Sequence, residues 1–277
     1  MLGAIIGDIV GSRFQFTEFK SKNFEFFEEH CVPTDDSFMT LAIAKALLLC
    51  KNRSALQTLK DTTIRCMKEI AAAHENTGWG GMFYKWLFYP GYCKPYEGMG
   101  NGAGMRVSAV GWVAESEEEV KRLSQAVTEI SHNHIEGLRG AEAIAMSVYL
   151  ARIGVDKEEI KRRVIRDYYP KVATMTVENI RPNYGIDDAG NWVTCEGSVP
   201  HALVAFFDST DFEDAVRNAI SLGGDSDTIG CMTGAVAEAY YGVTREFEEK
   251  AVDYLSDDLK TIYYAFDTIK KKRIARK

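Results

Sequence analysis

Residues 212–236 read FEDAVRNAISLGGDSDTIGCMTGAV, two helical patterns on either side of a short polar turn. The first pattern repeats Phe212, Ala215, Val216 and Ala219, and the second repeats Ile229, Met232, Thr233 and Val236. Positions three and four apart share one face of an α-helix, so both segments are predicted to be helices. The turn between them, residues 223–228, places two aspartates at the start of the second helix.

The same spacing recurs along the whole chain, whereas the alternating patterns typical of strands are scarce. Further stripes lie at Leu2, Ile5, Ile6 and Ile9; at Ile43, Ala46, Leu47 and Cys50; at Ala141, Ile144, Ala145 and Val148; and at Phe247, Ala251 and Tyr254. The sequence therefore predicts an all-α protein. Because no change of composition marks a boundary, we expect residues 1–277 to form a single domain around one core.

Proline and glycine indicate where helices begin and where loops lie. Pro33 and Pro200 stand where helices are predicted to begin, since proline is tolerated in a first helical turn. Residues 78–104 are rich in glycine and aromatic residues, and residues 179–199 mix Asn, Gly, Asp and Pro, so both are predicted to be long loops. Long loops in compact domains are usually functional.

Composition excludes several classes of protein. A net charge of −7 disfavours binding along nucleic-acid backbones, so a nucleic-acid substrate is not the first expectation. The apolar N-terminal run is interrupted by Asp8 and lacks a basic segment, which argues against a signal peptide and a membrane span. Six cysteines without a CxxC pair predict reduced thiols, and five histidines without an HExxH pattern argue against zinc. We expect a cytoplasmic protein that does not bind membranes.

Two short segments place carboxylates and hydroxyls directly before an apolar helix. They are Pro33–Ser37 and Gly223–Thr228. Hard cations such as Mg²⁺ bind carboxylate and hydroxyl oxygens, and a cation would neutralise the repulsion among four aspartates brought together. Acids at helix starts can also serve simply as caps. From spacing alone, a shared metal site and two unrelated helix caps are equal alternatives.

Five ordered blocks of this sequence resemble motifs of the ADP-ribosylglycohydrolase family. Thr34–Asp36 and Gly224–Thr228 look like its two metal motifs, and Gly3–Asp8 looks like its first helix. Gly100–Arg106 resembles its glycine-containing ligand loop, and Ser131–His134 resembles its histidine element. The resemblance implies an orthogonal bundle of helices around a two-metal cleft, in agreement with the helical periodicity.

The resemblance also implies a set of metal ligands. Two Mg²⁺ ions, with Mn²⁺ as a possible substitute, would be held by Thr34, Asp35, Asp36, Asp225, Asp227 and Thr228. Of these, Asp35, Asp36 and Asp225 are also predicted to be catalytic, together with Gln15. Ser226, between the two aspartates, would face away from the metals.

A ligand-binding role is implied for the glycine loop and for one histidine. Asn101, Gly102, Ala103, Gly104 and Met105 would bring backbone N–H groups against a diphosphate, because glycine permits close approach. His132 would contact the distal ribose or a phosphate. A hydrogen-bonded structural histidine is an equal alternative.

One residue departs from the family pattern. Gln15 occupies the position of a glutamate that family members place beside the metals, where it activates water or protonates a leaving group. An amide cannot transfer a proton in this way, although its oxygen can bind a cation or a hydroxyl. Three readings remain open: another acid such as Glu18 replaces it, the residue traps a bound state, or the protein is a slow or inactive homologue.

The predicted function is removal of mono-ADP-ribose from a modified target by Mg²⁺-dependent cleavage of the ribosyl glycosidic bond. Arginine-linked protein is the expected substrate, and serine-linked protein, modified nucleic acid and small ADP-ribosyl metabolites are alternatives. The competing hypothesis is a catalytically weakened protein that binds ADP-ribose, or a structural homologue, because of Gln15. A two-metal phosphoesterase would fit the aspartates but not the resemblance across all five blocks.

Overall fold

The predicted all-α architecture is confirmed by the structure, a computed structural model that describes residues 1–187 and 189–274. Strands are absent from these residues, which contain only two isolated β-bridges, Thr17 with Gly224 and Gly100 with Thr194. Three short 3₁₀ helices lie at Ser12–Phe14, Pro170–Thr174 and Asn191–Val193. The α-helices of the described residues are α1 Leu2–Gly11, α2 Asp35–Leu49, α3 Leu56–Ala73, α4 Gly81–Phe88, α5 Gly102–Met105, α6 Ser108–Val113, α7 Glu117–Thr128, α8 Ile135–Ile153, α9 Lys157–Asp167, α10 Val177–Ile180, α11 Cys195–Phe207, α12 Phe212–Ile220, α13 Ser226–Tyr241, α14 Arg245–Asp253 and α15 Asp257–Ile274.

Helix α13 lies at the centre of the fold. It packs against α1, α2, α5, α8, α11 and α12, and every residue from Ser226 to Glu238 is buried. A helix surrounded in this way has no solvent-exposed face over these residues, which explains why Ile229, Cys231, Met232 and Val236 point in different directions yet are all inaccessible. The buried apolar side chains form one connected core. Among the described helices, none is both long and apolar enough to cross a bilayer.

Glycines allow α1 and α13 to cross at very short distance. A Cβ atom on Gly7 would lie 1.9 Å from the carbonyl oxygen of Gly230, and one on Gly3 would lie 2.1 Å from that of Gly234. A Cβ on Gly11 would lie 2.6 Å from the Cα of Asp227. Because glycine has no side chain, the two backbones touch directly. This contact brings the carboxylates of the two helices together.

Two predictions about local structure are wrong. Residues 81–88, inside the segment predicted to be a loop, form α4, whose Phe83, Trp86 and Leu87 are buried against the core. Apolar packing therefore outweighs the glycines that precede this helix. Residues 179–199 are also interrupted, by the 3₁₀ helix at 191–193 and by the start of α11 at Cys195.

Pro200 does not begin a helix, because it lies inside α11. A proline at this position lacks the N–H that would bond to the carbonyl of Glu196, four residues earlier. That carbonyl instead accepts a hydrogen bond of 2.7 Å from Lys171 Nζ. The lysine supplies the donor that the helix lacks, so the proline is accommodated.

The structure also bears on the thiols and on the extent of the described chain. All six cysteines are free thiols, and Cys93 alone among them is not buried. Residue 188, part of the second predicted loop, and residues 275–277, part of the predicted single domain, lie outside the described residues.

Candidate metal centre and ligand cavity

Three aspartates from three helices meet at the centre of the molecule. Asp8 of α1, Asp36 of α2 and Asp227 of α13 are buried, and one carboxylate oxygen of each lies within 4.8 Å of the others. We call this group the carboxylate triad. The glycine crossing places Asp8 beside Asp227, and the N-terminus of α2 adds Asp36. The triad therefore depends on contacts between distant parts of the sequence.

Asp8 holds the start of α2 in position. Its Oδ2 accepts hydrogen bonds from the backbone N–H groups of Thr34, at 2.9 Å, and Ser37, at 3.0 Å. Its Oδ1 accepts a bond of 2.6 Å from the Thr34 hydroxyl. A carboxylate at this place satisfies N–H groups that a helix leaves unpaired in its first turn. It also fixes Thr34–Asp36 against α1.

The other two members of the triad carry oxygens without a hydrogen-bond donor. Asp36 Oδ1 and Asp227 Oδ2 are buried and have no partner among the described residues. The other oxygen of Asp36, Oδ2, accepts a bond of 3.1 Å from the Thr228 hydroxyl. Buried carboxylate oxygens are normally hydrogen-bonded or bound to a cation. The two unpartnered oxygens therefore fit a cation site.

Burial raises the pKa of every aspartate in this region. It raises the pKa of Asp8 to about 6, against hydrogen bonds from Ser37 and Thr34 that lower it. Burial raises the pKa of Asp35 to about 8, with further contributions from the charges of Asp8 and Asp225. The pKa values of Asp36 and Asp227 are raised well above the ordinary range by burial and by neighbouring carboxylates. Without a cation, these acids favour protonation.

A cavity of about 490 Å³ opens beside the triad. We call it the site cavity. Its walls include Gln15, Phe16, Asp35, Phe83, Tyr96, Gly98, Asn101, Gly102, Met105, Arg106, His132, Asp225 and Thr228. The volume lies within the range of small-molecule sites, and polar groups line a mostly apolar wall, as such sites require.

Asp35, Asp225 and Thr228 connect the cavity with the triad. Asp35 and Asp225 line the cavity, and Thr228 both lines it and donates to Asp36. Asp225 Oδ2 accepts a hydrogen bond of 2.6 Å from the Asn101 side chain, which orients the carboxylate. The six ligands predicted from the resemblance are thus brought together in the structure.

Gln15 lies beside Asp225 at the edge of the same cavity. The backbone N–H of Phe16 donates to Gly224 at 2.8 Å, and Gly224 donates to Thr17 at 2.8 Å, which attaches this segment next to Asp225. The Gln15 side chain hydrogen-bonds to Asp225 and so lowers the pKa of that aspartate, against the larger effect of burial. Phe16 adopts φ of 60°, a strained value for a bulky residue that is typical of functional sites.

Glu18, the alternative acid, does not face the site cavity. It lines a neighbouring cavity of about 670 Å³, and its Oε1 accepts a hydrogen bond of 2.8 Å from Ile186 N–H. Its Oε2 lies 3.0 Å from Lys20 Nζ. The bond from Ile186 holds the pKa of Glu18 below its ordinary value. An exposed acid engaged in this way is a poor proton donor.

The glycine loop differs from the nest of free donors predicted for it. Four of its backbone N–H groups bond within the chain, Asn101 to Val193, Ala103 to Gly100, and Gly104 and Met105 to Asn101, which leaves the N–H of the cavity-lining Gly102 as the remaining candidate donor. A Cβ on Gly104 would lie 2.9 Å from Met232 Sδ, so this glycine serves helix packing. Asn101, Gly102 and Met105 line the cavity, whereas Ala103 and Gly104 do not appear among the lining residues.

Two further predicted residues are placed as follows. His132 is buried and lines the site cavity. Ser226 is buried, and its hydroxyl donates to the Phe14 carbonyl at 3.3 Å instead of to a carboxylate of the triad.

Sequence analysis did not assign Asp8 to the site. The available signal was a lone acid in the otherwise apolar segment LGAIIGDIVG. A carboxylate in a buried helix needs a partner, which identifies it as a candidate functional residue.

Comparison with known proteins identifies relatives over the whole chain. A sequence model described as ADP-ribosylglycohydrolase matches residues 1–273. The mouse protein named ADP-ribosylhydrolase ARH3 is 24% identical over 310 aligned positions, which cover 88% of this chain and 83% of that protein. The protein of Pseudomonas putida named ADP-ribosylarginine hydrolase Tri1 is 27% identical over 115 positions, which cover 42% of this chain and 31% of that protein.

The fold also has a solved counterpart. A structure titled ADP-ribosylglycohydrolase-related protein complex matches with a TM-score of 0.65 and 22% identity, covering 97% of both chains. Alignments with other curated relatives cover about half of those proteins' length.

Proposed function

Since the chain belongs to the ADP-ribosylglycohydrolase family, we propose that it removes ADP-ribose from a modified target in a reaction that depends on a divalent cation. The observation that carries the proposal is the pair of buried, unpartnered oxygens of Asp36 and Asp227 beside a nucleotide-sized cavity. Carboxylate and hydroxyl donors of this kind suit Mg²⁺, with Mn²⁺ as a substitute.

The proposed cation ligands are those at the junction of the triad and the site cavity. Asp36, Asp227, Asp8 and the Thr34 hydroxyl supply oxygens from inside the protein, and Asp35, Asp225 and the Thr228 hydroxyl supply them from the cavity side. A divalent cation held by these residues would supply polarisation of a water and a fixed position for the substrate at the bond to be cleaved. The aspartates hold that geometry.

The remaining residues bind and orient the substrate. Asn101 fixes the Asp225 carboxylate, and Gln15 lies close enough to hydrogen-bond a ribose hydroxyl or a water beside it. The apolar wall that includes Phe83 and Met105 excludes bulk water from the cavity. Cleavage of the ribosyl bond passes through an oxocarbenium-like state, which the nearby carboxylate charges favour.

An arginine-linked substrate is our first proposal for the leaving group. The similarity to the Pseudomonas protein named ADP-ribosylarginine hydrolase supports it. The similarity to the mouse ADP-ribosylhydrolase supports the wider class, in which a serine linkage is the alternative.

The test is release of free ADP-ribose from arginine- and serine-ADP-ribosylated proteins, measured with Mg²⁺ and again with EDTA. Turnover that EDTA removes is the expected result, and the faster of the two substrates identifies the linkage. Turnover that is unaffected by EDTA contradicts the proposed role of the aspartates. ADP-ribose binding without turnover of either substrate favours the second candidate function, a weakened ADP-ribose-binding protein, for which Gln15 is the specific observation.

The stabilising effect of Mg²⁺ is expected to grow with pH. The folded-state pKa values of Asp8, about 6, and Asp35, about 8, exceed the ordinary value of 3.8. Between pH 3.8 and the raised pKa of each group, the folded protein holds a proton that the unfolded chain has released. The stability of the metal-free protein therefore falls as pH rises through this range. A cation replaces those protons. We expect the Mg²⁺-induced rise in Tm to be at least about 3 °C larger at pH 8 than at about pH 5.5.

The control for this measurement is NaCl at matched ionic strength. Sodium chloride should not reproduce the pH dependence, since screening acts weakly on buried charges. Equal Mg²⁺-induced shifts at the two pH values would show that the aspartates do not exchange protons for the cation.

A further inference from the structure

Arg106 is a buried cation without a carboxylate partner among the described residues. Its side chain is completely buried, and its Nε and Nη1 atoms have no hydrogen-bond partner there. Its Nη2 donates to Ser131 Oγ at 2.8 Å and to the Thr128 carbonyl at 3.4 Å. Burial lowers the pKa of Arg106 to about 10, so it remains charged at neutral pH. Burying an unpaired charge costs free energy of folding, so Arg106 is a candidate for a functional role.

The hydroxyl of Ser131 connects this charge to His132. Ser131 Oγ lies 2.9 Å from His132 Nδ1. A guanidinium can only donate, so the serine oxygen accepts from Arg106 and its own proton is directed elsewhere. Within the described residues, His132 Nδ1 is the acceptor that lies within hydrogen-bond distance of Ser131 Oγ. The serine therefore donates to Nδ1.

This bond determines which ring nitrogen of His132 carries the proton. A neutral imidazole has one donor and one acceptor, so an accepting Nδ1 requires a proton on Nε2. Burial and the charge of Arg106 hold the pKa of His132 well below its ordinary value, which keeps the ring neutral. The Tyr96 hydroxyl lies 3.3 Å from Nε2 and 3.5 Å from Nδ1, so it is slightly closer to the nitrogen that carries the proton.

The Nε2 side of the ring faces the glycine loop of the site cavity. Cβ atoms added to Gly102 and Gly100 would lie 3.5 Å and 3.7 Å from Nε2. The loop's own N–H groups at Asn101, Ala103 and Gly104 are engaged within the chain. An N–H donor on His132 can therefore supply a hydrogen bond to a ligand oxygen at this end of the cavity.

We propose that Arg106 and Ser131 are positioning residues that hold His132 as a neutral Nε2–H donor toward an anionic or hydroxyl oxygen of the ligand. The proposal rests on the proposed function, because ADP-ribose is the ligand considered. Arg106 is part of the cavity wall, but the role proposed for it runs through Ser131 and the ring, and its charge also favours an anion in the cavity.

The tautomer can be observed directly by ¹⁵N NMR of histidine-labelled, ligand-free protein. His132→Gln identifies the His132 signals among the five histidines. The expected spectrum has a protonated Nε2 and an unprotonated Nδ1. In Ser131→Ala, which removes the donor, protonation of Nδ1 should appear, and ADP-ribose affinity measured by calorimetry should fall about tenfold. A spectrum with the proton on Nδ1 in the unaltered protein would overturn the proposal.

Ser108→Ala is the matched control. Ser108 is a buried serine whose hydroxyl has no hydrogen-bond partner among the described residues, so its loss should change neither spectrum nor affinity. If Ser131→Ala behaves like Ser108→Ala, the positioning role is refuted. If the expected tautomer is found but ADP-ribose does not bind, the positioning role stands and the proposed ligand fails. The two failures are therefore distinguishable.

Discussion

Asp227→Asn is expected to abolish the Mg²⁺-dependent rise in Tm and to lower ADP-ribose release by roughly 10³-fold or more. Asp227 is completely buried, its Oδ1 accepts from Thr228 N–H at 2.9 Å, and its Oδ2 has no partner among the described residues. An asparagine keeps the oxygen that accepts from Thr228. It replaces the unpartnered Oδ2 by an NH2 group, which can donate hydrogen bonds to Asp8 and Asp36. The metal-free variant should therefore be at least as stable as the unaltered protein.

Opposite effects on stability with and without Mg²⁺ make this prediction specific. Ordinary damage to a core would lower stability under both conditions. Asp211→Asn is a suitable control, since Asp211 is the N-cap of α12 and asparagine is an equally good cap. Thermal unfolding with Mg²⁺ and with EDTA measures both variants. An Asp227→Asn protein that still responds to Mg²⁺ would place the cation elsewhere.

Gln15→Glu is expected to raise ADP-ribose release by roughly 10²-fold or more, because general acid–base catalysis contributes about 10² to 10⁴ in rate. Gln15 lines the site cavity and bonds to Asp225. A glutamate in its place would lie beside that aspartate, and two carboxyl groups in contact share a proton near neutral pH. The variant would then have a group able to give or accept a proton at the ribosyl bond.

The rate at saturating substrate is the decisive measurement for Gln15→Glu. A proton-transfer group should raise kcat with little change in KM, and a rise confined to affinity would indicate a binding effect. Gln15→Met, similar in size and without an acid, should show no gain. Glu18→Gln tests the other acid, and we expect it to leave kcat within about threefold, because Glu18 faces the neighbouring cavity. A large loss in Glu18→Gln would instead make Glu18 the acid.

Much of the fold followed from the sequence because helical periodicity is a local property. The stripes at 2–9, 141–148 and 212–219 lie in helices of the structure, and so does the stripe at 43–50 except for Cys50, the C-cap of α2. The exceptions have tertiary causes. Helix α4 is stabilised by burial of Trp86 and Phe83, and Pro200 is tolerated because Lys171, from another segment, bonds to the exposed carbonyl.

The site was less predictable because it is assembled from distant segments. Spacing alone could not show that Asp36 and Thr228, 192 positions apart, are in contact. The family resemblance supplied that expectation, and the structure brings the residues together. Asp8 was missed because an isolated acid in a helix has no pattern around it. The hydrogen bonds made by the N–H groups of the glycine loop could not be predicted either, because the sequence shows where the glycines are but not what each N–H bonds to.

The glycine crossing between α1 and α13 has a consequence for the order in which the protein folds. Gly3 N–H donates to Glu238, 235 positions away, so the contact closes nearly the whole chain into one loop. Such closures are entropically unfavourable early in folding and are made late. A ribosome must therefore release most of α13 before Asp8 can meet Asp227. If the proposed cation binds these carboxylates, it would link helices that come together late in folding, and its main kinetic effect should be to slow unfolding.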